Sequence, residues 1–212
     1  MKYRIIPVTS LQQNCTLIWC EETNKAAIID PGDDLHPVLQ AIEQEQVDVD
    51  RILITHAHFD HAGGAHVLAE KLGVDIEGPH RDDLPLVEKI SEQAEAWGFS
   101  PVEVFTPKRW LEQDDEVSVG SIQLKVLHCP GHTPGHVVFY NENQDLLFVG
   151  DVLFKGSIGR TDFPLSNHQD LLDSIRNRLW TLGDNVTFVP GHGPLSTIGE
   201  ERRTNPFVGR FA

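Results

Sequence analysis

Thr55-His56-Ala57-His58-Phe59-Asp60-His61 follows directly on the apolar run Ile52-Leu53-Ile54. Side chains alternate faces along an extended segment, so His56 and His58 point to one side. Asp60 and His61 fall where the chain turns toward the helix opened by Ala62-Gly63-Gly64. One short loop therefore offers three imidazoles and a carboxylate to a common point. Imidazole and carboxylate donors suit zinc, iron or manganese, and no thiolate lies in the cluster. A structural zinc site would more commonly use close cysteine pairs.

Three further apolar runs end in the same manner. Leu124-Lys125-Val126-Leu127 leads through Pro130-Gly131 to His132, Leu146-Leu147-Phe148-Val149-Gly150 delivers Asp151, and Val186-Thr187-Phe188-Val189 leads through Pro190-Gly191 to His192. Each polar residue follows an expected buried strand, with a glycine that permits close backbone approach. Any one of them alone reads as a turn residue. Together with the His56 loop they read as one site on loops held by rigid strands.

Between these runs the pattern predicts strands over 2–8, 14–20, 25–30, 51–54, 74–78, 115–119, 121–127, 137–140, 145–149 and 186–189. A further strand is expected near 102–105. Helices are expected from Asp34 to about Gln46, over 62–72 with a stop at Gly73, over 82–97 with a stop at Gly98, and over 167–180. No linker or fixed repeat interrupts the 212 residues, so one domain spanning 1–212 is expected. Strands followed by a helix in each half suggest two sheets packed face to face with helices outside.

The formal net charge of -15 argues against nucleic acid, whose binding requires neutralising phosphates with Lys and Arg. No apolar run approaches membrane-spanning length, so no membrane partner is expected. The N-terminus lacks an export signal, and three cysteines form no disulfide-rich pattern, which places the expected compartment in the cytoplasm.

Thr-His-x-His-x-Asp-His, with Asp30-Pro31-Gly32 before it and His132, Asp151 and His192 after it, resembles the metallo-β-lactamase-fold hydrolases. Within that family the match is closest to small, single-domain glyoxalase II-like proteins (hydroxyacylglutathione hydrolases). The resemblance implies an α+β, αββα four-layer sandwich with a binuclear site at one edge of the two sheets. It implies that His56, His58 and His132 bind one divalent metal and that Asp60, His61 and His192 bind the other, with Asp151 bridging. Zinc is the first expectation, with iron or manganese fitting the same donors. Two such metals lower the pKa of a shared water, so hydroxide becomes available at neutral pH. Asp60 and Asp151 are the expected catalytic carboxylates, Asp60 orienting the hydroxide or accepting its proton. A thiolate leaves without a strong general acid, so the expected substrate is a small thioester, glutathione-derived, such as S-lactoylglutathione.

Lys155 and Arg160, just after Asp151, are candidates to hold a substrate carboxylate. Asp30 is expected as scaffold behind the metal loop, and His136 as a supporting residue rather than a ligand. His66 is expected to be structural, while His36, His80, His128 and His168 show no partner pattern. Two-domain glyoxalase II enzymes carry a C-terminal helical domain that residues 193–212 are too few to form. Gly159-Arg160-Thr161-Asp162-Phe163 also resembles the persulfide dioxygenases of this fold. Those would use one iron on His56, His132 and Asp151, and this is the alternative activity. A non-catalytic metal-binding module is a further alternative.

Overall fold

Alternation along the first strands, β1 (Lys2–Val8), β2 (Gln13–Trp19) and β3 (Lys25–Ile29), sets the layering of the computed structural model, which describes residues 1–210. Cys15, Leu17, Trp19, Ala26 and Ile28 enter one apolar cluster, whereas Ile18, Cys20, Ala27 and Ile29 enter a second on the opposite face. Both faces are therefore covered, which is why these strands read as nearly continuous apolar runs. Each fully buried Leu or Ile contributes roughly 1.5–3 kcal/mol to that packing.

After β3 come helix α1 (Leu35–Glu45), β4 (Asp48–Leu53), the single turn α2 (Phe59–Ala62), α3 (Ala65–Leu72) and β5 (Asp75–Glu77). The first sheet has the order β1-β2-β3-β4-β5, parallel from β3 to β5 and antiparallel before that. Its outer face packs on the helices through Val38, Ala41, Ala65 and Leu68. The expected helix over 62–72 instead breaks after one turn at Gly63-Gly64. A Cβ on Gly64 would lie 2.6 Å from the Gly32 carbonyl, so the chain passes the 30–32 loop too closely for any side chain.

The expected helix over 82–97 also breaks, into a 3-10 turn (Arg81–Asp83), α4 (Leu84–Val87) and α5 (Ile90–Ala96). Lys89 is non-helical between them, at φ -112° and ψ 17°. Gln93 Nε2 fills the break, donating to the Leu86 carbonyl at 2.9 Å and to the Ala57 carbonyl at 3.2 Å. No strand forms over 102–105. The free side of β5 is met instead by residues 108–109, through Lys108 N to Ile76 O at 2.7 Å and Gly78 N to Arg109 O at 2.8 Å. Phe105 is simply buried in the first cluster.

The second half supplies β6 (Glu116–Val119), β7 (Ile122–His128), β8 (Val137–Asn141), β9 (Leu146–Gly150), the small hairpin β10 (Leu153–Phe154) and β11 (Ser157–Ile158), helix α6 (His168–Ser174), β12 (Thr187–Pro190), β13 (Ser196–Thr197) and α7 (Ile198–Thr204). The second sheet runs β13-β12-β9-β8-β7-β6. Leu124, Val126, Phe139 and Phe148 face the first sheet, while Leu127, Val138, Leu147 and Phe188 face α6 and α7 through Leu171 and Ile198. The result is helix, sheet, sheet, helix: the expected α+β sandwich. The expected helix over 167–180 passes from α6 into a π turn at Ile175–Leu179, and α7, β13 and the β10–β11 hairpin add to the sequence reading. Among the described residues no helix is long and apolar enough to cross a membrane.

Candidate metal centre

β4, β7, β9 and β12 all end at one edge of the two sheets, and the candidate ligands sit on the segments that follow. Ile54 N still donates to Glu77 O, after which Thr55 turns the chain inward. Thr55 is fixed from two sides. Its N–H and hydroxyl donate to the Asp30 carboxylate at 2.7 and 2.6 Å, and its carbonyl accepts Val137 N at 2.8 Å. Asp30, at φ 51°, thereby ties the end of β3 to the ligand loop. Gly131 precedes His132 at φ 136°, and a Cβ there would lie 2.2 Å from Leu171 N. A Cβ on Gly191, before His192, would lie 2.1 Å from Asp151 Oδ1. Only glycine lets these two loops close on the centre.

Seven side chains converge. One donor atom from each of His56, His58 and His132 lies within 4.8 Å of the others, and the same holds for Asp60, His61 and His192. Asp151 stands between the two groups. Its Oδ1 is 3.4 Å from His61 Nε2, while its Oδ2 is 3.6 Å from His132 Nε2 and 3.8 Å from His192 Nε2. His192 Nε2 is 3.2 Å from Asp60 Oδ2.

The outer ring nitrogens are occupied, which aims the inner ones. His61 Nδ1 donates to Asp30 at 3.0 Å, His132 Nδ1 to the Arg160 carbonyl at 2.8 Å, and His192 Nδ1 to the Leu11 carbonyl at 3.2 Å. His56 Nδ1 lies 3.0 Å from the Thr55 hydroxyl. Such outer contacts fix the tautomer of ligating histidines. The inward atoms His56 Nε2, His61 Nε2, His132 Nε2 and Asp151 Oδ1 are buried and have no hydrogen-bond partner. Buried polar atoms are nearly always satisfied, so four orphans facing one point fit bound metal.

Protonation states agree with ligation in the first donor group, whereas in the second Asp60 and Asp151 outweigh burial and raise His61 and His192 above their usual values, so a metal there would displace protons. Burial pushes His56 well below its usual value and His58 down to about 3, and it lowers His132 as well. These rings are neutral, the state in which imidazole ligates. Burial alone would raise Asp151 and Asp60, but the neighbouring histidines, His61 foremost, outweigh it and keep both carboxyls below their usual range. His136 stays outside the donor set. It stacks on His56 with ring centroids 4.6 Å apart, and its Nε2 accepts the Asp151 N–H at 3.0 Å.

Asp83 was not legible from the sequence. Fully buried, its carboxylate accepts Ala57 N at 2.9 Å, Gly135 N at 2.6 Å and the Thr133 hydroxyl at 2.9 Å. It thus braces the His56–His58 loop and the His132 loop together. Burial pushes it up to about 6 despite those donors. Its only sequence signal was an acidic residue at an expected helix start, which reads as a cap.

A cavity of about 640 Å³ opens over the centre. His58, Asp60, His132, Asp151 and His192 form its floor, and Phe59, Leu86, Trp97, Phe154 and Phe163 form apolar walls. Arg160 lines it, but its guanidinium is engaged by Asp162 at 3.0 and 2.8 Å and lies over the Phe163 ring at 4.4 Å. Lys155 does not line it, contrary to expectation. It sits in the two-residue turn between β10 and β11, which points it to solvent. Lys89, at the α4–α5 break, is the second cation on the wall. His66 is half-buried beside Glu70 and Glu103, as a structural residue would be. His80 and His128, without partners in the sequence reading, stack on each other.

Residues 8–192 match the model of a family described as the metallo-beta-lactamase superfamily. The chain is 44% identical to hydroxyacylglutathione hydrolase GloC of Haemophilus influenzae over 209 residues, covering 98% of both. Its structure is similar to that of the BLEG-1 B3 metallo-beta-lactamase (TM-score 0.90, 32% identity, 98% of this chain and 99% of the other). It is similar also to TTHA1623, solved in a di-iron-bound form (TM-score 0.88, 39% identity, 96% and 99%).

Proposed function

The chain belongs to the metallo-beta-lactamase superfamily, and from that premise we propose that it is a metal-dependent hydrolase of small thioesters, with a glutathione-derived substrate such as S-lactoylglutathione. In this reading residues 1–212 act as one domain in the cytoplasm. His56, His58 and His132 would hold one divalent ion and Asp60, His61 and His192 a second, with Asp151 placed to serve both, zinc being the first choice. The observation that carries it is Asp151, whose carboxylate stands between the two donor groups, with Oδ1 3.4 Å from His61 Nε2 and Oδ2 3.6 Å from His132 Nε2 and 3.8 Å from His192 Nε2, and whose Oδ1 is buried without a partner. The 44% identity to a hydroxyacylglutathione hydrolase over nearly the whole chain supports the substrate class.

Divalent ions bound there supply Lewis-acid polarisation of a carbonyl and bring the pKa of a water close to neutrality. The chain's own residues do the rest. Asp60, on the cavity floor and ionised, orients the attacking water and accepts its proton. Phe59, Trp97 and Phe163 pack on the apolar parts of the substrate and keep bulk water from the reacting carbon. Lys89 and Arg160 offer charge to a substrate carboxylate at the rim. The leaving thiolate, with a conjugate acid near pKa ~8.5, departs without a protein acid, which suits a thioester.

The test is S-lactoylglutathione hydrolysis by purified, metal-loaded protein beside Asp151→Ala. Turnover that disappears in the variant is the expected result. Fully metallated protein that leaves the thioester intact refutes the reading. Oxygen uptake with glutathione persulfide by such protein, holding one iron, would put the dioxygenase activity in its place.

A further inference from the structure

The ligand loops of the buried centre are pinned by side chains from elsewhere in the chain. Asp30 holds Thr55, and Asp83 holds Ala57 and Gly135, each accepting backbone N–H groups, while the Ser166 hydroxyl donates to His132 O at 2.7 Å. The loop that carries His192 has a different problem. Gly191 and Gly193 flank the histidine, so the backbone on both sides has the widest conformational range a chain can have. Gly193 sits at φ 77° with open space where a side chain would be. Packing does not hold the ring either: the His192 side chain is 29% exposed, against 0% for His61 and 3% for His132.

The restraint comes from the turn between β1 and β2. Asn14 Nδ2 donates to Pro190 O at 3.0 Å and to Gly193 O at 2.9 Å, so one amide spans the whole glycine–histidine–glycine run. Its backbone N–H donates to Gly191 O at 2.7 Å. Leu11 O accepts His192 Nδ1 at 3.2 Å, and Gln13 pairs with His192 in a single antiparallel bridge. Asparagine is suited to this place because its amide nitrogen carries two donors on a short stem, whereas an ionised aspartate of the same shape carries none. With the loop so tied, His192 Nε2 lies 3.2 Å from Asp60 Oδ2 and 3.8 Å from Asp151 Oδ2.

We infer, resting on the two-ion reading of the centre, that Asn14 is a positioning residue for the second donor group: by bonding carbonyls on both sides of His192 it sets that ring where Asp60, His61 and His192 can share one ion. Asn14 belongs to neither donor group and does not line the cavity. It meets neither ion nor substrate, and its effect runs through His192. Without the amide, the two glycines release His192 to several conformations, and binding an ion must then restore one of them at an entropic cost. Loss of an outer partner of a ligating residue typically costs 10–100-fold in metal affinity. Asn14 acts on the backbone of the ligand rather than on its ring, so the lower end of that range, about tenfold, is expected. His56, His58 and His132 make none of these bonds, and their ion should be unaffected.

Competition of the zinc-loaded protein against a chromophoric chelator, read beside metal analysis after desalting, tests it. Asn14→Ala removes the amide, and Asn14→Asp keeps its shape but turns oxygens toward the two carbonyls. The backbone bond from Asn14 to Gly191 O survives in both, and metal-free melting curves check that the fold does too. The wild type should hold two equivalents of zinc. Both variants should keep one at wild-type affinity and hold the other about tenfold more weakly, Asn14→Asp the more affected. In a His192→Ala background, adding Asn14→Ala should change the weaker equivalent by less than about twofold, because the ring through which Asn14 acts is gone. A second equivalent that stays at wild-type affinity in both variants overturns the proposal and leaves the two-ion reading intact. Equal weakening of both equivalents also overturns it, since that marks general loosening. A wild type that holds a single equivalent fails the two-ion reading and the proposal with it.

Discussion

The floor and the wall of the cavity are held by different forces. Beneath the floor His56 and His61 are fully buried, and the outer nitrogens of His61, His132 and His192 are bonded to Asp30, Arg160 O and Leu11 O. On the wall Trp97 is 51% exposed, and it follows a seven-residue helix separated from α4 by the non-helical Lys89. Floor residues follow strand ends and are aimed by polar contacts on their outer side, to Asp30 and to backbone carbonyls. Wall residues rest on apolar contact, which tolerates substitution of similar volume. Reaction type therefore belongs to the floor and substrate preference to the wall, an arrangement in which one fold can serve many substrates.

This contrast can be broken at the floor first. Asp151→Ala should reduce kcat/KM for the thioester by at least ~10³-fold, since metal-ion catalysis supplies several kcal/mol of transition-state stabilisation. Steady-state kinetics together with metal content will show it. A wall variant with an equal loss would erase the distinction.

The brace beneath the floor is sharpened by pH. Burial raises the Asp83 carboxyl from 3.8 to about 6. A carboxyl with a raised folded-state pKa lends stability at low pH that is lost as the pH climbs through the folded value. Relative to Asp83→Asn, the wild type should lose up to ~3 kcal/mol between pH 4 and pH 7. Denaturant melts of both proteins at the two pH values read that difference directly, and a constant gap would show that Asp83 is not penalised by its burial.

Smaller effects are expected on the wall. Trp97→Ala should raise KM several-fold with kcat nearly unchanged, the pattern for uniform binding. Arg160→Ala should do least, about twofold in KM, because its guanidinium already pairs with Asp162 on the exposed rim. A collapse of kcat in either variant would move that residue from the wall to the floor.

The same contrast explains what could be read from the sequence. His56, His132, Asp151 and His192 each follow an apolar run, so strand periodicity points to them. The two-sheet layering was legible because the apolar runs alternate between the clusters on either face. The α4–α5 break was not, since Gln93 repairs it by bonding Leu86 O and Ala57 O, a contact with no trace in helical spacing. Asp83 and the His80–His128 pair escaped for a related reason. Thr133 and Gly135 lie about fifty residues from Asp83, and His128 about as far from His80, so these partners meet only when the chain packs. Lys155 read as a substrate cation from its closeness to Asp151 in sequence, but the β10–β11 turn directs it outward.

Anomalous diffraction from crystals of the zinc-loaded protein tests most directly whether Asp151 joins two ions. Two peaks are expected at the buried centre. One lies among His56, His58 and His132, the other among Asp60, His61 and His192, and Asp151 contacts both. A single peak on His56, His132 and Asp151, with His61 and His192 still paired to carboxylates, would contradict it.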